Sequence, residues 1–481
     1  MSEVRIGLEI HCQLTNLKTK LFCRCPADYR GKPPNTHVCP TCLGLPGSLP
    51  VVNRKAIEDA VKVALALNCQ ISRKVLFYRK NYFYPDLPKN FQISQYDYPI
   101  GVNGKVLLNL GGVKKEVRIR RVHLEEDPGK LVYKGSILES PYTLVDYNRA
   151  GVALVEIVTE PDLESPREAR LFLQQLRSIL EHLGVFDGSL EGAMRCDANI
   201  SVAGGARIEV KNISSFKEVE KALQFELLRQ RNFMRMGLKI ERETRHWDEA
   251  RGVTVTLRVK EEEMDYRYFP EPDLVPIELT PEFIDAVKRT LPELPDARRE
   301  RFIRQYGLPE AEAAVLVSSK ALADFFEETA AACKDPVKAS KFIVHALLGV
   351  LNYHGIDLTE AKVTPKHIAE LVNMVEEGVI TEKTAKYMLR DIVLTGRSPE
   401  QMVAEEGLQR IADRAVLEEA VEKVLEEEKE DVEAALKEEK VIHHLVGHVL
   451  KLTRMKADPK LLYEMIKERI DKLRAAREEG R

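Results

Sequence analysis

The pattern of hydrophobic and polar positions divides the chain into two parts near residue 290. Before that point, short apolar or alternating runs are broken by Gly, Pro and Asn, a pattern typical of β-strands. These runs include RIGLEIHCQL, VRIRRVHLEE, GVALVEIVTE, CDANISV and VTVTLRVK. After PELP at 292–295, helical periodicity continues to the C-terminus. We therefore predict an α+β fold. Its N-terminal region should be rich in strands with a few helices, and its C-terminal region should be helical.

Two helices are predicted within the strand-rich part. The sequences SPRE at 165–168 and SFKE at 215–218 have capping-box spacing, in which Ser and Glu side chains satisfy backbone N–H groups at a helix start. The first helix should end at Gly184 and the second at about Gly237, because Gly commonly terminates helices.

The length of 481 residues exceeds what a single hydrophobic core supports, since cores stop growing at about 250–300 residues. The change of pattern near 290 and the loop between Gly396 and Gly407 are the natural boundaries. We expect domains at 1–290, 291–405 and 406–481.

Charge is distributed unevenly towards the C-terminus. The net charge of -3 gives no overall attraction to nucleic acid, so any RNA-binding surface has to be local. Residues 416–440 carry eleven acidic and four basic side chains, whereas 441–481 carry ten basic and six acidic ones. The last helices either contact RNA phosphates or present solvated faces of opposite sign, and charge alone favours the second interpretation.

The chain has no basic N-terminal segment followed by an apolar one, and no run approaches the roughly 18 apolar residues of a membrane span. We expect a cytoplasmic protein.

Five of the eight cysteines lie within the first 42 residues. Cys23, Cys25, Cys39 and Cys42 form two close pairs separated by a Pro-rich loop, a spacing suited to a four-thiolate zinc site. Ordinary buried thiols would leave this pairing unexplained, and disulfides are rare in reducing compartments. We predict a structural zinc site within 23–42, because four thiolates leave no open coordination position.

Several acidic residues occur where a cation would be needed to stabilise them. Glu9 and His11 share one face of a predicted strand, although a core ion pair is the commoner explanation for such a pair. The sequence HLEED at 123–127 contains three consecutive acids, which repel one another without a cation. Glu156 is the only charge in an otherwise buried run.

Oxygen-bearing and basic side chains complete this picture. Asp197, Asn199 and Ser201 share one strand face, and hard cations such as magnesium prefer oxygen ligands. Phosphoryl transfer also needs positioned positive charge. Basic candidates are Lys80, Arg195 and Lys211, although each one taken singly fits an exposed surface charge.

Three motifs are absent from the sequence. There is no GxxxxGK[ST] loop, and the segment 101–105 (GVNGK) has the wrong spacing, so we interpret it as a hairpin turn. There is also no Gly- and Ser-rich amidase signature and no Cys-centred glutaminase motif. The chain is therefore not expected to release its own ammonia.

Eight segments resemble, in order, the B-subunit family of the glutamyl/aspartyl-tRNA amidotransferases (GatB family). They are GLEIH, VVNRKA, RKNYFYPDLPKNFQISQYD, HLEEDPGK, LVDYNRAGVALVEIV, RCDANIS, EVKNISSF and DYRYFPEPDL. The resemblance is dense over residues 5–275 and looser towards the C-terminus. It implies a mainly antiparallel-sheet catalytic cradle, an all-α helical domain and an α-helical YqeY-like tail that binds tRNA.

The resemblance implies ATP-dependent amidation of mischarged Glu-tRNA(Gln) or Asp-tRNA(Asn), a ligase reaction that passes through an acyl phosphate. By motif it assigns Mg²⁺ to Glu9, His11, Glu126 and Glu156, with Glu125 as the competing acid. It assigns catalysis to Lys80, Glu125, Asp197 and Lys211, and ATP or the aminoacyl end to Lys80, Ser94, Gln95, Arg195, Asn199 and Asn212.

The implied partners are an amidase-type A subunit that hydrolyses glutamine, a small C subunit that completes a heterotrimer, and the mischarged tRNA. One alternative is the archaeal E-type relative, which carries a large additional domain for which 295–481 is too short. The other is a zinc-stabilised RNA-binding scaffold without catalysis, against which the intact acid clusters argue.

Overall fold

The structure is a computed structural model that describes residues 4–134, 140–259, 263–411, 414–453 and 456–479. The chain folds as two compact units, Met1–Pro295 and Asp296–Arg481. The first unit is α+β and the second is helical, as the hydrophobic pattern predicted.

The first unit contains sixteen strands and four complete helices within the described residues. The strands are β1 (Val4–Gln13), β2 (Gln70–Ile71), β3 (Lys74–Val75), β4 (Tyr78–Asn81), β5 (Phe91–Ser94), β6 (Gly101–Asn109), β7 (Lys114–Glu126), β8 (Lys130–Tyr133), β9 (Thr143–Asp146), β10 (Ala153–Thr159), β11 (Met194–Val202), β12 (Ile208–Ile213), β13 (Glu243–Asp248), β14 (Val253–Val259), β15 (Phe269–Pro270) and β16 (Ile277–Glu278). The helices are α1 (Arg54–Ala66), α2 (Pro166–His182), α3 (Phe216–Arg235) and α4 (Pro281–Arg289), and a 3-10 turn spans Glu263–Tyr266.

A nine-stranded sheet with the order β14-β13-β12-β11-β1-β10-β7-β6-β2 organises this unit. All neighbours pair antiparallel except β12 and β13. The alternation in β1 buries Ile6, Leu8 and Ile10 on one face. Helices α1, α2 and α3 pack on the sheet, and their apolar residues join the same core. The other face carries the polar residues of β1.

The two predicted helices of this unit are confirmed, and each is capped as its sequence indicates. The Ser165 hydroxyl accepts a hydrogen bond from the Glu168 backbone N–H, and Ser215 does the same for Glu218, both at 3.3 Å. In α2 the capping box is half formed, because the Glu168 carboxylate accepts from the Glu164 N–H instead of reaching back to Ser165.

The predicted hairpin turn at 101–105 is wrong. These residues begin β6, which pairs with β7 from Gly101 onwards. Gly104 is required there by close packing rather than by a turn, because a Cβ at this position would lie 2.4 Å from the Cys69 sulfur.

The second unit consists of helices that form two separate hydrophobic cores. The first core runs from Phe302 to Leu408 and the second from Leu417 to Ile470. The helices are α5 (Pro295–Tyr306), α6 (Glu310–Leu316), α7 (Lys320–Ala332), α8 (Pro336–Phe342), α9 (Leu348–His354), α10 (Pro365–Glu376), α11 (Glu382–Thr395), α12 (Pro399–Glu406), α13 (Arg414–Glu427), α14 (Lys429–Lys437), α15 (Ile442–Leu452) and α16 (Pro459–Glu479). A π turn at Ile343–Leu347 joins α8 to α9, and a 3-10 turn at Glu439–Val441 precedes α15. Among the described residues, no helix is long and apolar enough to cross a membrane.

Candidate active site and thiolate cluster

Strand β1 brings the predicted site residues together on the open face of the large sheet. Its antiparallel register sets His11 opposite Glu156 of β10 and Glu9 opposite Asp197 of β11. On the next strand, His123 of β7 lies opposite Glu156. Directly opposed residues point to the same face of a sheet, so these side chains project into one space.

The centre of this face is a cluster of two carboxylates and two imidazoles. The His11 Nε2 lies 3.4 Å from Glu125 Oε1 and 3.6 Å from Glu156 Oε2. The His123 Nε2 lies 3.0 Å from Glu156 Oε2 and 3.5 Å from Glu125 Oε2. Both carboxylates and His123 are buried, whereas the side chain of His11 is 23% exposed.

The cluster keeps its carboxylates ionised. Burial by itself would raise the pKa of Glu156, but His123, His11 and Arg121 lower that pKa well below its ordinary value. Burial also opposes ionisation of Glu125, yet its hydrogen bond with His123 lowers its pKa. Burial alone would lower the pKa of His123, but the same two carboxylates raise it. Two anionic groups are therefore held side by side by cationic neighbours.

The donor atoms of this cluster suit a divalent cation. One ligand atom each from His11, Glu125 and Glu156 lies within 4.8 Å of the others. Two carboxylate oxygens and one imidazole nitrogen are a donor set that divalent cations accept, with magnesium favouring the oxygens. Glu9 lines the same cavity but lies outside this group of three, and its Oε1 accepts a hydrogen bond from Asn199 at 3.0 Å.

Glu126 points away from the cluster formed by its neighbour Glu125. Its carboxylate pairs with Lys89 at 2.7 Å and accepts the backbone N–H of Ile93 at 2.8 Å. Consecutive residues of a strand point to opposite faces, so only one acid of this pair reaches His11. The structure brings Glu125, the competing acid, to the cluster and leaves Glu126 on the other side.

A polar cavity of about 310 Å³ opens over the sheet face. It is lined by seven of the sequence-predicted residues in addition to His11: Glu9, Lys80, Ser94, Gln95, Glu156, Asp197 and Lys211. Four arginines also line it: Arg120, Arg121, Arg207 and Arg242. Together with the acid cluster, this basic lining can accommodate a polyanionic ligand that is bound through a cation.

Two of the predicted basic residues are already paired with carboxylates. Lys211 Nζ lies 2.9 Å from Asp197 Oδ2; burial would lower the pKa of this lysine, but Asp197 and Glu209 raise it. Arg195 donates to Asp127 at 2.6 Å. Lys80 forms no ion pair with any carboxylate in the part of the chain that the structure describes, and its ammonium lies over the rings of Tyr82 and Tyr266.

The remaining predicted residues have supporting positions. Ser94 donates its hydroxyl to Glu125 at 3.1 Å. The side-chain oxygen Oε1 of Gln95 accepts a hydrogen bond from the Leu124 N–H at 3.0 Å. The buried side-chain nitrogen Nε2 of Gln95 has no hydrogen-bond partner among the described residues. Asn212 belongs to β12, and its side chain lies outside the described part of the chain.

Sequence reasoning did not select His123 or Tyr266. His123 had a usable signal, because it lies two residues before Glu125 on a strand and therefore shares its face. Tyr266 had none, since it reaches the cavity from a 3-10 turn whose position depends on distant contacts.

The four predicted cysteines form a second cluster, on the segment before α1. All four sulfur atoms lie within 4.8 Å of one another, and those of Cys25 and Cys42 are 4.0 Å apart. Zinc–sulfur bonds of about 2.3 Å in a tetrahedron separate sulfurs by about 3.8 Å, so this spacing fits a zinc ion and not a disulfide.

A buried lysine, which sequence reasoning missed, supports this thiolate cluster. Lys20 is fully buried, and its ammonium donates to the His37 carbonyl at 2.7 Å and to the Cys42 sulfur at 3.6 Å. A hydrogen bond from Cys23, together with the charge of Lys20 and hydrogen bonds from Cys39, lowers the pKa of Cys42 to about 4 despite burial. Cys42 is therefore set up as a thiolate, the form that binds metal.

In the C-terminal helices, opposite charges pair with one another. Lys467 lies 2.5 Å from Glu439, and Arg469 pairs with Glu422. Part of the positive charge of 441–481 is therefore used within the protein.

Two family models match the chain: one described as the GatB/GatE catalytic domain at residues 4–285, and one described as the GatB domain at residues 324–470. Similar relatives are each named as the B subunit of an aspartyl/glutamyl-tRNA(Asn/Gln) amidotransferase. The relative from Saccharolobus solfataricus is 53% identical over 97% of this chain and 99% of its own length. Those from Thermotoga maritima and Methanosarcina barkeri are 51% and 49% identical over 97% and 96% of this chain, and 98% and 97% of their own lengths. The match runs along nearly the whole length of these B subunits.

Proposed function

Since the chain belongs to the B-subunit family of the aspartyl/glutamyl-tRNA amidotransferases, we propose that it amidates mischarged Glu-tRNA(Gln), Asp-tRNA(Asn) or both. In the first step the γ-phosphoryl group of ATP passes to the side-chain carboxylate of the aminoacyl group, which gives ADP and an acyl phosphate. In the second step ammonia attacks the acyl carbon, phosphate leaves, and an amide forms. The acyl phosphate is needed because a free carboxylate is a poor electrophile.

The observation that carries this proposal is the cluster of His11, Glu125 and Glu156 beneath a basic cavity. These three residues would hold Mg²⁺, with Glu9 as a further candidate ligand from the same cavity. Bound there, the ion would neutralise phosphate charge. His123 keeps the carboxylates ionised and in place, and Glu126 supports β5 through the Ile93 N–H.

The cationic lining would bind the phosphates of ATP and the end of the tRNA. Lys80 supplies an ammonium that forms no ion pair within the described chain, and Lys211 is oriented by Asp197. Ser94, Gln95, Arg195, Asn199 and Asn212 are the further candidates for contacts with ATP or the aminoacyl end. Phosphoryl transfer is catalysed mainly by such positioning and by charge stabilisation.

Ammonia would come from a partner, because the sequence contains no glutaminase motif. We propose an amidase-type A subunit as its source and a small C subunit that completes a heterotrimer. The zinc of the thiolate cluster would be structural. The domains are proposed as a catalytic cradle at 1–290, a helical domain at 291–405 and a tRNA-binding tail at 406–481, where the second hydrophobic core lies.

The decisive experiment supplies ammonium chloride in place of glutamine and follows ADP release and amide formation on mischarged tRNA. The proposal predicts amide formation that requires both ATP and Mg²⁺ with Glu-tRNA(Gln), Asp-tRNA(Asn) or both. Amidation that proceeds equally well without ATP would refute it.

The tail is tested separately by tRNA binding. Truncation after residue 406 should weaken tRNA affinity, flatten its salt dependence and leave ATP affinity unchanged, because phosphate contacts release counterions. Equal tRNA affinity in the truncated chain would remove the tail from tRNA binding.

A further inference from the structure

Lys80 lies among aromatic rings in the proposed catalytic cavity. Its ammonium nitrogen is 4.8 Å from the centre of the Tyr266 ring and 5.8 Å from that of Tyr82. The two rings meet edge to face, with centres 6.0 Å apart. We call Tyr82 and Tyr266 the aromatic clamp. Each ring lies within the distance at which its π face attracts a cation.

Further contacts from Tyr268, Tyr96 and Asn81 support the aromatic clamp. Tyr268 packs edge-on against Tyr266 with ring centres 6.0 Å apart, and it stacks on Tyr96 at 4.6 Å with nearly parallel planes. The Asn81 amide donates to the backbone carbonyls of Tyr266 at 3.2 Å and Arg267 at 2.9 Å.

Arg267 adopts a left-handed backbone conformation with φ of +46°. A non-glycine residue rarely occupies this region, and it persists only where surrounding contacts impose it. Here it falls between two tyrosines that both line the cavity. The uncommon backbone conformation therefore occurs at the residue that separates the two cavity-lining tyrosines.

The clamp differs from the contacts that fix two other predicted cations, Lys211 and Arg195. Lys211 is held by Asp197 and Arg195 by Asp127, so a carboxylate already meets part of the charge of each. An aromatic ring attracts an ammonium through its quadrupole but carries no net charge. A lysine that contacts rings and forms no ion pair within the described residues therefore has no carboxylate in direct contact that competes with a ligand for its charge.

We propose that the aromatic clamp positions Lys80 as the cation that binds the phosphoryl group during its transfer. This inference rests on the proposed function, and it makes Tyr82 and Tyr266 positioning residues rather than catalytic ones. The tyrosine hydroxyls are not required, because the ring faces do the positioning.

The first test needs neither ATP nor tRNA, so it stays informative even if the proposed function fails. The complete chain is treated with an amine-reactive acetylating reagent, and the labelling rate of Lys80 is followed by mass spectrometry. In Tyr266→Leu the ammonium loses a covering ring, so Lys80 should be labelled about three to ten times faster. Tyr266→Phe keeps the ring and should match the unchanged protein.

The chain offers a matched control in a second lysine and tyrosine. Lys74 Nζ lies 5.8 Å from the ring of Tyr98, which is 43% exposed and outside the residues that line the cavity. Tyr98→Leu should therefore leave the labelling of Lys80 unchanged. Equal labelling of Lys80 in Tyr266→Leu, Tyr266→Phe and the unchanged chain would overturn the clamp.

The second test measures ADP release by the assembled complex. Tyr266→Leu should lower kcat about tenfold, equivalent to about 1.4 kcal/mol, with the KM for ATP within twofold, whereas Tyr266→Phe should restore the rate. When Tyr266→Leu is added to Lys80→Met, kcat should fall by less than a further twofold, because the rings then have no cation to position. The proposal would be contradicted if the kcat losses of the two single variants multiplied in the double variant, or if Tyr266→Leu raised only the KM for ATP. Either result would assign the rings to stacking on a nucleobase.

Discussion

The two potential metal sites of the first unit differ in how the chain builds them. The thiolate cluster comes from one segment of twenty residues, 23–42, whereas His11, Glu125 and Glu156 come from three strands of one sheet. Four sulfur ligands satisfy a tetrahedral ion completely and leave no place for a substrate. The carboxylate and imidazole cluster brings three potential ligand residues together beside a cavity, so an ion held there would keep coordination positions for phosphate.

A lysine accompanies each cluster, and the two lysines show the same difference. Lys20 is fully buried and donates directly to Cys42, so its charge is used inside the protein. Lys80 is surrounded by rings and forms no ion pair within the described residues, so its charge is available to a ligand. The comparison separates a cluster whose four ligands would close the site from a cluster that opens onto a cavity.

Glu125→Gln should produce the largest effect on catalysis. Replacing a charged ligand of the open cluster removes charge stabilisation from the transition state, and we expect kcat for ADP release to fall about 10²- to 10³-fold. Zinc content should stay unchanged, which metal analysis of the same sample checks. A rate within threefold of the unchanged protein would remove Glu125 from the cation site.

Glu126→Gln is the matched variant at the adjacent position, and it should act mainly on stability. It breaks the buried pair with Lys89, and removal of one partner of such a pair costs about 3–5 kcal/mol. We expect a lower free energy of unfolding in denaturant titration, with kcat of the folded protein reduced much less than in Glu125→Gln. The reverse order of the two kcat values would return the cation ligand to Glu126.

Removal of zinc should disturb the closed site without stopping chemistry at the open one. Cys42→Ser should abolish stoichiometric zinc binding and expose the segment 23–42 to limited proteolysis, because the ion organises that loop. ADP release should persist at a reduced rate in the protein that stays folded. Complete loss of phosphoryl transfer, with proteolysis unchanged, would give zinc a catalytic role. The thiolate cluster would then no longer be distinguished from the open cluster as a purely structural site.

Lys20→Met should have the smallest effect of this series. Loss of the ammonium that supports the Cys42 thiolate should weaken zinc binding about tenfold in a chelator competition, as is typical for groups that support metal ligands. Lys18→Met, at an exposed position two residues away, is the control and should bind zinc normally. Equal affinities in the two variants would show that Lys20 serves packing alone.

Features fixed by neighbouring residues were predictable from the sequence. The caps at Ser165 and Ser215 depend on a residue three positions later, and the helices begin where predicted. The paired spacing of the four cysteines likewise indicated the cluster that the fold assembles. The shared face of Glu9 and His11 follows from the two-residue repeat of a strand, which needs no knowledge of its neighbours.

Features fixed by distant contacts required the tertiary structure. Only the register between β7 and β10 decides that Glu125, not Glu126, meets Glu156, because a shift of one residue exchanges the two faces of a strand. Lys18 and Lys20 lie two residues apart, and the sequence does not distinguish their environments. In the fold Lys18 is exposed, whereas Lys20 is buried beside the sulfur of Cys42. The sequence gives the number of charged side chains but not their partners. Folding pairs Lys211 with the carboxylate of Asp197, whereas it places Lys80 over the ring of Tyr266.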